Sequence, residues 1–327
     1  LAGAQIGGPL DCTGGSFENK NGQALNAESV EVKGGVFLSD DFSAKGEVSL
    51  SGAQIGGELS CTGGSFENEN GEALNAQGTQ MSAFYWRALK AVSGNISLAG
   101  ARTGGLSDDA ASWDMANRLY LDGFEYSSIH GSLDAPMRLA WLAKACAYDG
   151  SFSLQPYEQL AHVLKKMGHE QTARQILVSK EIKHRQSERA SLRFRRRLAR
   201  LVAGLSKRPS AARFEEMKIY VKSAGSADVS FTVKLVDRLH LFHASWPDSQ
   251  KDKTHPSEIA RAQAGFREEI FWQNGRIRAR LAWMQTKDRM ARHLVGYGYR
   301  PFNFIWALAL LIGVGWLFAH QAYERGD

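Results

Sequence analysis

The chain predicts a right-handed, β-helix-like β-solenoid of about five coils, then an α-helical region and a C-terminal transmembrane helix. Three observations carry that order. The segment LAGAQIGGPLDCTGGSFENKNGQALNA at Leu1 returns at Leu50 as LSGAQIGGELSCTGGSFENENGEALNA, at an offset of 49 residues. Near residue 132 the apolar spacing changes from period two to period 3.6. From Pro301 to Ala319 there are 19 positions without a charged residue.

The repeat defines a solenoid domain over 1–131, with a third, decayed copy starting at Leu98 as LAGARTGG. Apolar residues alternate in short pairs: Val30 and Val32, Val48 and Leu50, Ala53 and Ile55, Leu59 and Cys61. Period two turns one strand face inward. Gly7-Gly8, Gly14-Gly15, Gly34-Gly35, Gly56-Gly57 and Gly63-Gly64 punctuate these pairs, as do Asn21-Gly22 and Asn70-Gly71. All read as corners, because glycine and asparagine tolerate the positive φ of tight turns. Strands of about two to four residues between such corners are too short for a sandwich and suit stacked coils. Each unit is expected to hold two coils, Ala24 to Gly46 and Glu47 to Asn70. Five coils at about 4.8 Å give a stack about 24 Å tall.

Cys12 and Cys61 then stand two coils, roughly 9–10 Å, apart, beyond the roughly 7 Å a disulfide spans. They are expected to be small buried core residues, and Cys146 to lie on a helix. Three free thiols fit a reducing compartment. The chain opens in mid-repeat without methionine, so further coils or a targeting segment are expected before Leu1.

Residues 132–208 read as a helical hairpin followed by a basic amphipathic helix. Pro136 opens one helix, with Asp134 or a neighbour as cap, and Pro156 opens another, stopped by Gly168. A third carries Ala173, Ile176, Leu177 and Ile182. The string YEQLAHVLKKMGHEQTAR resembles one tetratricopeptide-type hairpin, and alone it is expected to act as a cap and adaptor on the solenoid's open end. Beyond it Arg193, Arg195, Arg196, Arg197 and Arg200 interleave with Leu192, Phe194, Leu198, Leu201 and Val202. That pattern suits an anionic membrane surface. Nucleic acid is not the expected partner, since no zinc-finger spacing, helix-turn-helix or aromatic strand motif accompanies the cations.

Residues 209–300 form a helical juxtamembrane region. His240 and His243 have i, i+3 spacing near Asp237, but histidines on a half-apolar helix usually pack, and no metal is expected. Over 301–319 the run spans about 29 Å as a helix, matching a hydrocarbon core. Trp306 and Trp316 flank it, and Tyr297, Tyr299 and Arg300 form an interface belt. Arg280, Lys287, Arg289, Arg292 and Arg300 precede the span, against Arg325 alone in the tail 320–327, which places the preceding side in the cytoplasm. A second span beyond Asp327 would fit the short tail. Charge divides likewise: residues 1–135 carry 7 basic and 17 acidic residues, −10 net, leaving +16 for the remainder of a chain whose total is +6. The acidic solenoid would stand off anionic lipid while the basic helices lie against it.

Dinucleotide, phosphate-loop, nucleophile-elbow, zincin and CxxC signatures are lacking, and the sequence assigns no cofactor or catalytic residue. Asp40-Asp41 and Asp108-Asp109 are expected to be exposed turn carboxylates. With GAQIGGELSCTGGSF, QPYEQLAHVLKKMGH and VGYGYRP, the chain resembles a group of bacterial pentapeptide-like repeat membrane proteins, outside 210–255. Some members carry the label membrane-associated oxidoreductase. The resemblance implies the architecture and a bacterial inner-membrane location. It also supplies the alternative function, an oxidoreductase or other membrane-bound enzyme without a recognisable motif. The residues themselves point to a membrane-tethered cytoplasmic scaffold that binds a protein partner through Glu18, Glu67, Glu69 and Glu72.

Overall fold

A computed structural model describes residues 1–207 and 275–287, together with Arg289 and Ile312. The chain divides into two compact units, one of Leu1–Tyr148 with Phe152–Lys180, the other of Asp149–Ser151 with Glu181–Asp327.

The first unit is a parallel β-solenoid. Gln5, Glu31, Gln54, Gln80, Arg102 and Glu125 stack in one column, in steps of 26, 23, 26, 22 and 23 residues. Two steps, 26 and 23, make the 49-residue repeat, so one unit is two coils, as the spacing predicts. The first three coils each have three sides: β1 (Gln5–Ile6), β2 (Leu10–Asp11) and β3 (Ser16–Asn26); β4 (Glu31–Val32), β5 (Val36–Phe37) and β6 (Ser43–Ser49); β7 (Gln54–Ile55), β8 (Glu58–Ser60) and β9 (Ser65–Asn75). The fourth coil merges its first two sides into β10 (Gln80–Trp86), which pairs with both β7 and β8, and continues as β11 (Ala91–Ser97). The decayed third copy supplies β12 (Arg102–Asp108), α1 (Ala110–Met115) and β13 (Leu119–Tyr120), with β14 (Glu125–His130) above. One sheet holds β1, β2, β4, β5, β7, β8, β10, β12 and β14; the other runs β3-β6-β9-β11-β13.

The difference between long and short coils has a local cause. Between Glu18 and Gln23 the strand β3 carries three more residues than β6 does between Lys45 and Glu47. The same excess separates Glu67–Glu72 on β9 from Ser93–Asn95 on β11. Asn21-Gly22 and Asn70-Gly71 are therefore bulges within 11-residue strands, so their corner assignment needs correction; the two-to-four-residue strand length holds for β1, β2, β4, β5, β7 and β8 but not for β3, β6 and β9. Parallel neighbours supply the ladder partners, β6 for β3 and both β6 and β11 for β9, so the chain does not have to reverse at Asn-Gly as it does in a hairpin. The Asn19 and Asn68 side-chain amides close the bulges by donating to the carbonyls of Gln23 (3.2 Å) and Glu72 (2.9 Å). Gly46 and Gly94 lie against them at φ +125° and +124°, where a Cβ would meet the Asn19 carbonyl at 2.2 Å or the Asn68 carbonyl at 2.4 Å.

Val30, Val32, Val48, Leu50, Ala53, Ile55, Leu59 and Cys61 all point inward and are buried, as the alternation predicts. Ile6, Val32 and Ile55 share one column. Through the core runs a file of rings, Phe17, Phe42, Phe66, Trp86, Trp113 and Trp141, with successive centroids 5.4–5.7 Å apart. The last two belong to the closing helices. α1 is capped by Asp109, whose carboxylate accepts from the Ser112 amide at 2.7 Å, and α2 (Ala135–Ala143) follows Asp134 with Pro136 in its first turn. Asp108 is fully buried, which corrects its assignment as an exposed turn carboxylate. Arg138 of α2 meets it with two hydrogen bonds (2.5 and 2.8 Å), and Trp113 Nε1 adds a third at 2.7 Å.

Beyond α2, Ala145 bridges to Leu119 and the Cys146 amide donates to the Leu119 carbonyl, so Cys146 extends the second sheet and is not helical. α3 (Gln155–Lys166) packs beside β14, its Gln159 amide donating to the Tyr126 carbonyl at 2.8 Å. Gly168 ends it at φ +87°. The third hairpin helix and the basic helix are one element, α4 (Glu170–Lys207).

In the second unit α4 continues from Glu181, and residues 275–287 form a further helix, α5. Among the described residues no helix is long and apolar enough to cross a membrane. The span expected over 301–319 lies outside the described residues apart from Ile312, as does the whole stretch 210–255.

Candidate functional site

The outer face of the second sheet collects the acidic residues singled out from the sequence. β3 and β9 present Glu18 and Glu67 in one column, with Lys45 of β6 between them. Glu18 is also met by Lys20, 3.2 Å away on the bulge. Glu69 projects from the β9 bulge and is exposed, and Glu72 follows it, half-buried. The structure thus gathers Glu67, Glu69 and Glu72 on one strand. It leaves Glu18 two coils away, partly neutralised.

Two further carboxylates join them. Glu47 of β6 approaches Glu72 closely enough that burial first and Glu47 second push the Glu72 carboxyl up, while a hydrogen bond from Tyr148 acts the other way. Glu47 accepts from the Asn75 side-chain amide at 3.1 Å. Glu28 accepts from Gln23 Nε2 at 2.7 Å and from the Ser49 hydroxyl at 2.9 Å. Behind them runs a polar column, Asn26, Ser49, Asn75, Ser97 and Tyr120, one residue per coil. Tyr148 closes its upper end. Its ring stacks on Tyr120 at 4.2 Å and its hydroxyl lies 2.5 Å from Ser97 Oγ. Each member is held by the coil above or below, so the face is rigid and its charges cannot spread apart.

The first sheet offers a different surface. A trough of about 480 Å3 lies between the outward side chains of Gln80, Arg102 and Glu125 and the α3 residues Gln159, His162 and Lys166. Arg102 and Glu125, neighbours on its sheet wall, pair at 3.2 Å, and Lys166 lines it from α3. Ser128 Oγ and His130 Nε2 stand 3.2 Å apart on β14, both facing solvent. A nucleophile–base pair also needs a group to orient the ring, and among the described residues no carboxylate bonds it. Cys61 is buried and its thiol is pushed up by burial, the opposite of a reactive thiolate. Leu38 separates it from Cys12 in the stack. Among the described residues no group of histidines, cysteines and carboxylates could hold a metal ion.

Of the expected membrane-surface residues, Arg193, Arg197 and Arg200 are exposed on α4, Arg195 and Arg196 are half-buried, and Arg289 is exposed. Arg292, Tyr297, Tyr299 and Arg300 lie outside the described residues. Sequence reasoning missed Glu28, Glu47 and Tyr148. Glu47 has a sequence signal, since it follows Gly46, the glycine that lies against the β3 bulge; Tyr148 has none. Comparison of the chain with family models, curated proteins and solved structures gave no match.

Proposed function

We propose that the chain is a membrane-tethered repeat scaffold on the cytoplasmic side of a bacterial inner membrane, and that it binds a basic protein partner through the acidic face of its second sheet. The observation that carries this reading is the crowding of Glu72 against Glu47 on a strand that also presents Glu67 and Glu69. Like charges held that close on a rigid ladder raise the energy of the free surface, and an incoming lysine or arginine relieves it. The tether is the uncharged run 301–319, with the cations of α4 and α5 on its cytoplasmic side.

The test combines two measurements. Partners are captured from detergent-solubilised membranes with the native chain and with Glu18, Glu67, Glu69 and Glu72 all changed to Lys. A captured basic protein that is lost from the variant, and released from the native chain as salt rises past about 0.1 M, supports the acidic face. Retention by a correctly folded variant removes it. Carbonate extraction tests the tether separately: release into the supernatant refutes the span.

A further inference from the structure

The second unit contains a charged cleft of about 300 Å3 between α4 and α5. Each wall is a single helical face. Arg185 and Arg189 recur at i, i+4 on α4, and Arg280, Trp283 and Lys287 at i, i+3 and i+7 on α5. Glu181 and Glu188 also line it, and Glu181 lies 4.0 Å from Arg185. Its lining brings four cations, two carboxylates and His184 together in a space about the size of a headgroup. Lys287 Nζ sits 4.9 Å over the Trp283 ring, and that ring is 61 % exposed.

The two features belong together chemically. Guanidinium groups from opposite walls can grip a phosphate by paired N–H donors, which a diffuse basic surface cannot do. An exposed tryptophan at the rim has an apolar body and a polar N–H, the combination that settles at a membrane–water interface. A free phosphate would use the arginines and leave Trp283 unexplained.

We propose that this cleft holds the phosphate of an anionic phospholipid, with Arg189 and Arg280 as the principal ligands and Trp283 seated in the interfacial layer. The site rests on the membrane-tethered reading and adds to it a defined lipid contact in place of a general attraction between basic helices and acidic lipid.

The test uses the full chain purified in neutral detergent and titrated with phosphatidylglycerol or phosphatidylcholine, with retained lipid counted by native mass spectrometry. One phosphatidylglycerol per chain is expected, in preference to phosphatidylcholine. Arg280→Gln should weaken retention roughly tenfold and the Arg189→Gln/Arg280→Gln pair roughly a hundredfold, as the loss of one and of two charge-assisted contacts to the phosphate implies. Arg280→Lys should recover part of the loss. Arg278→Gln, which removes the same charge two positions away on α5 and outside the cleft, should retain lipid as the native chain does. Equal losses from Arg278→Gln and Arg280→Gln would mean diffuse charge and overturn the site. So would displacement of the lipid by glycerol phosphate at equal concentration, which would make the ligand a free phosphate. Carbonate extraction is read on the same variants: if the native chain is released while lipid selectivity persists, the tether fails and the site stands.

Discussion

Replacing Arg138 by Met should destabilise the solenoid's closed end by about 3–5 kcal/mol, the usual cost of orphaning one member of a buried ion pair. The structure shows why the upper part of that range applies. Both side chains are fully buried, and Asp108 takes two of its three hydrogen bonds from Arg138. Without the guanidinium the carboxylate keeps only the Trp113 indole N–H. The Ser132 carbonyl loses its 2.7 Å donor, and Trp141 loses a cation 5.6 Å from its ring. A hydrogen bond to a charged group is worth about 1.5–3 kcal/mol, and a desolvated cation–π contact about 2 kcal/mol, so the named losses reach the expected range without any further contribution. The assay is urea unfolding followed by tryptophan emission, since Trp113 and Trp141 end the ring file beside the pair. The Asp108→Leu/Arg138→Met double variant should recover most of the loss, because no charge is then left unpaired. A loss below about 1 kcal/mol for Arg138→Met, the range of an exposed pair, would refute the reasoning and mean that water reaches Asp108.

Gly94→Ala should cost at least about 2 kcal/mol or force the β9 bulge open, because its Cβ would meet the Asn68 carbonyl at 2.4 Å and its φ is +124°; a native-like melting temperature would count against the bulge geometry. Glu72→Gln should alter the pH dependence of stability. The folded pKa is raised, so the folded state binds the proton more tightly than the unfolded chain does, and stability falls as pH rises from the ordinary value of 4.5 through the raised one. The Gln variant should lack that fall and melt no lower than the native chain at neutral pH; a steeper fall in melting curves across this window would reverse the sign.

The solenoid was legible because its repeat is nearly verbatim and its inward positions alternate strictly. What stayed hidden was set by neighbours distant in sequence. An Asn-Gly pair reads as a corner when the chain must supply its own hydrogen bonds; here the adjoining coils supply them, and the bulge passes inside a strand. The ring file escapes periodicity because its steps are 25, 24, 20, 27 and 28 residues. Phe42 falls in the half of the unit that has no close copy, just before the paired strand position. Asp108 looks like a turn carboxylate until Arg138, 30 residues on, folds over it. On the acidic face Glu67, Glu69 and Glu72 could be read from the repeat, but the approach of Glu47 depends on how the bulge shifts the β6–β9 register.

The two near-identical copies also act as an internal control for what the surface does. Over 27 aligned positions they differ at five: Ala2 and Ser51, Pro9 and Glu58, Asp11 and Ser60, Lys20 and Glu69, Gln23 and Glu72. None of the ten residues is buried, so the core places no demand on these exchanges. Their effect is on charge: the first copy carries two carboxylates and one lysine, the second four carboxylates and no cation, −1 against −4. The copies have the same corners, the same bulge and the same asparagine clasp, and differ in what they present outward. On the proposed scaffold reading, the partner footprint should therefore centre on the third coil. Giving the second copy the acidic-face residues of the first, by Glu69→Lys and Glu72→Gln, should leave the melting temperature within a few degrees and abolish salt-sensitive capture of the proposed basic partner. The reciprocal change, Lys20→Glu and Gln23→Glu, should strengthen capture by creating a second acidic coil about 9–10 Å away. If both exchanges leave capture unchanged, the partner does not read this face, because each alters its charge while keeping the fold that displays it.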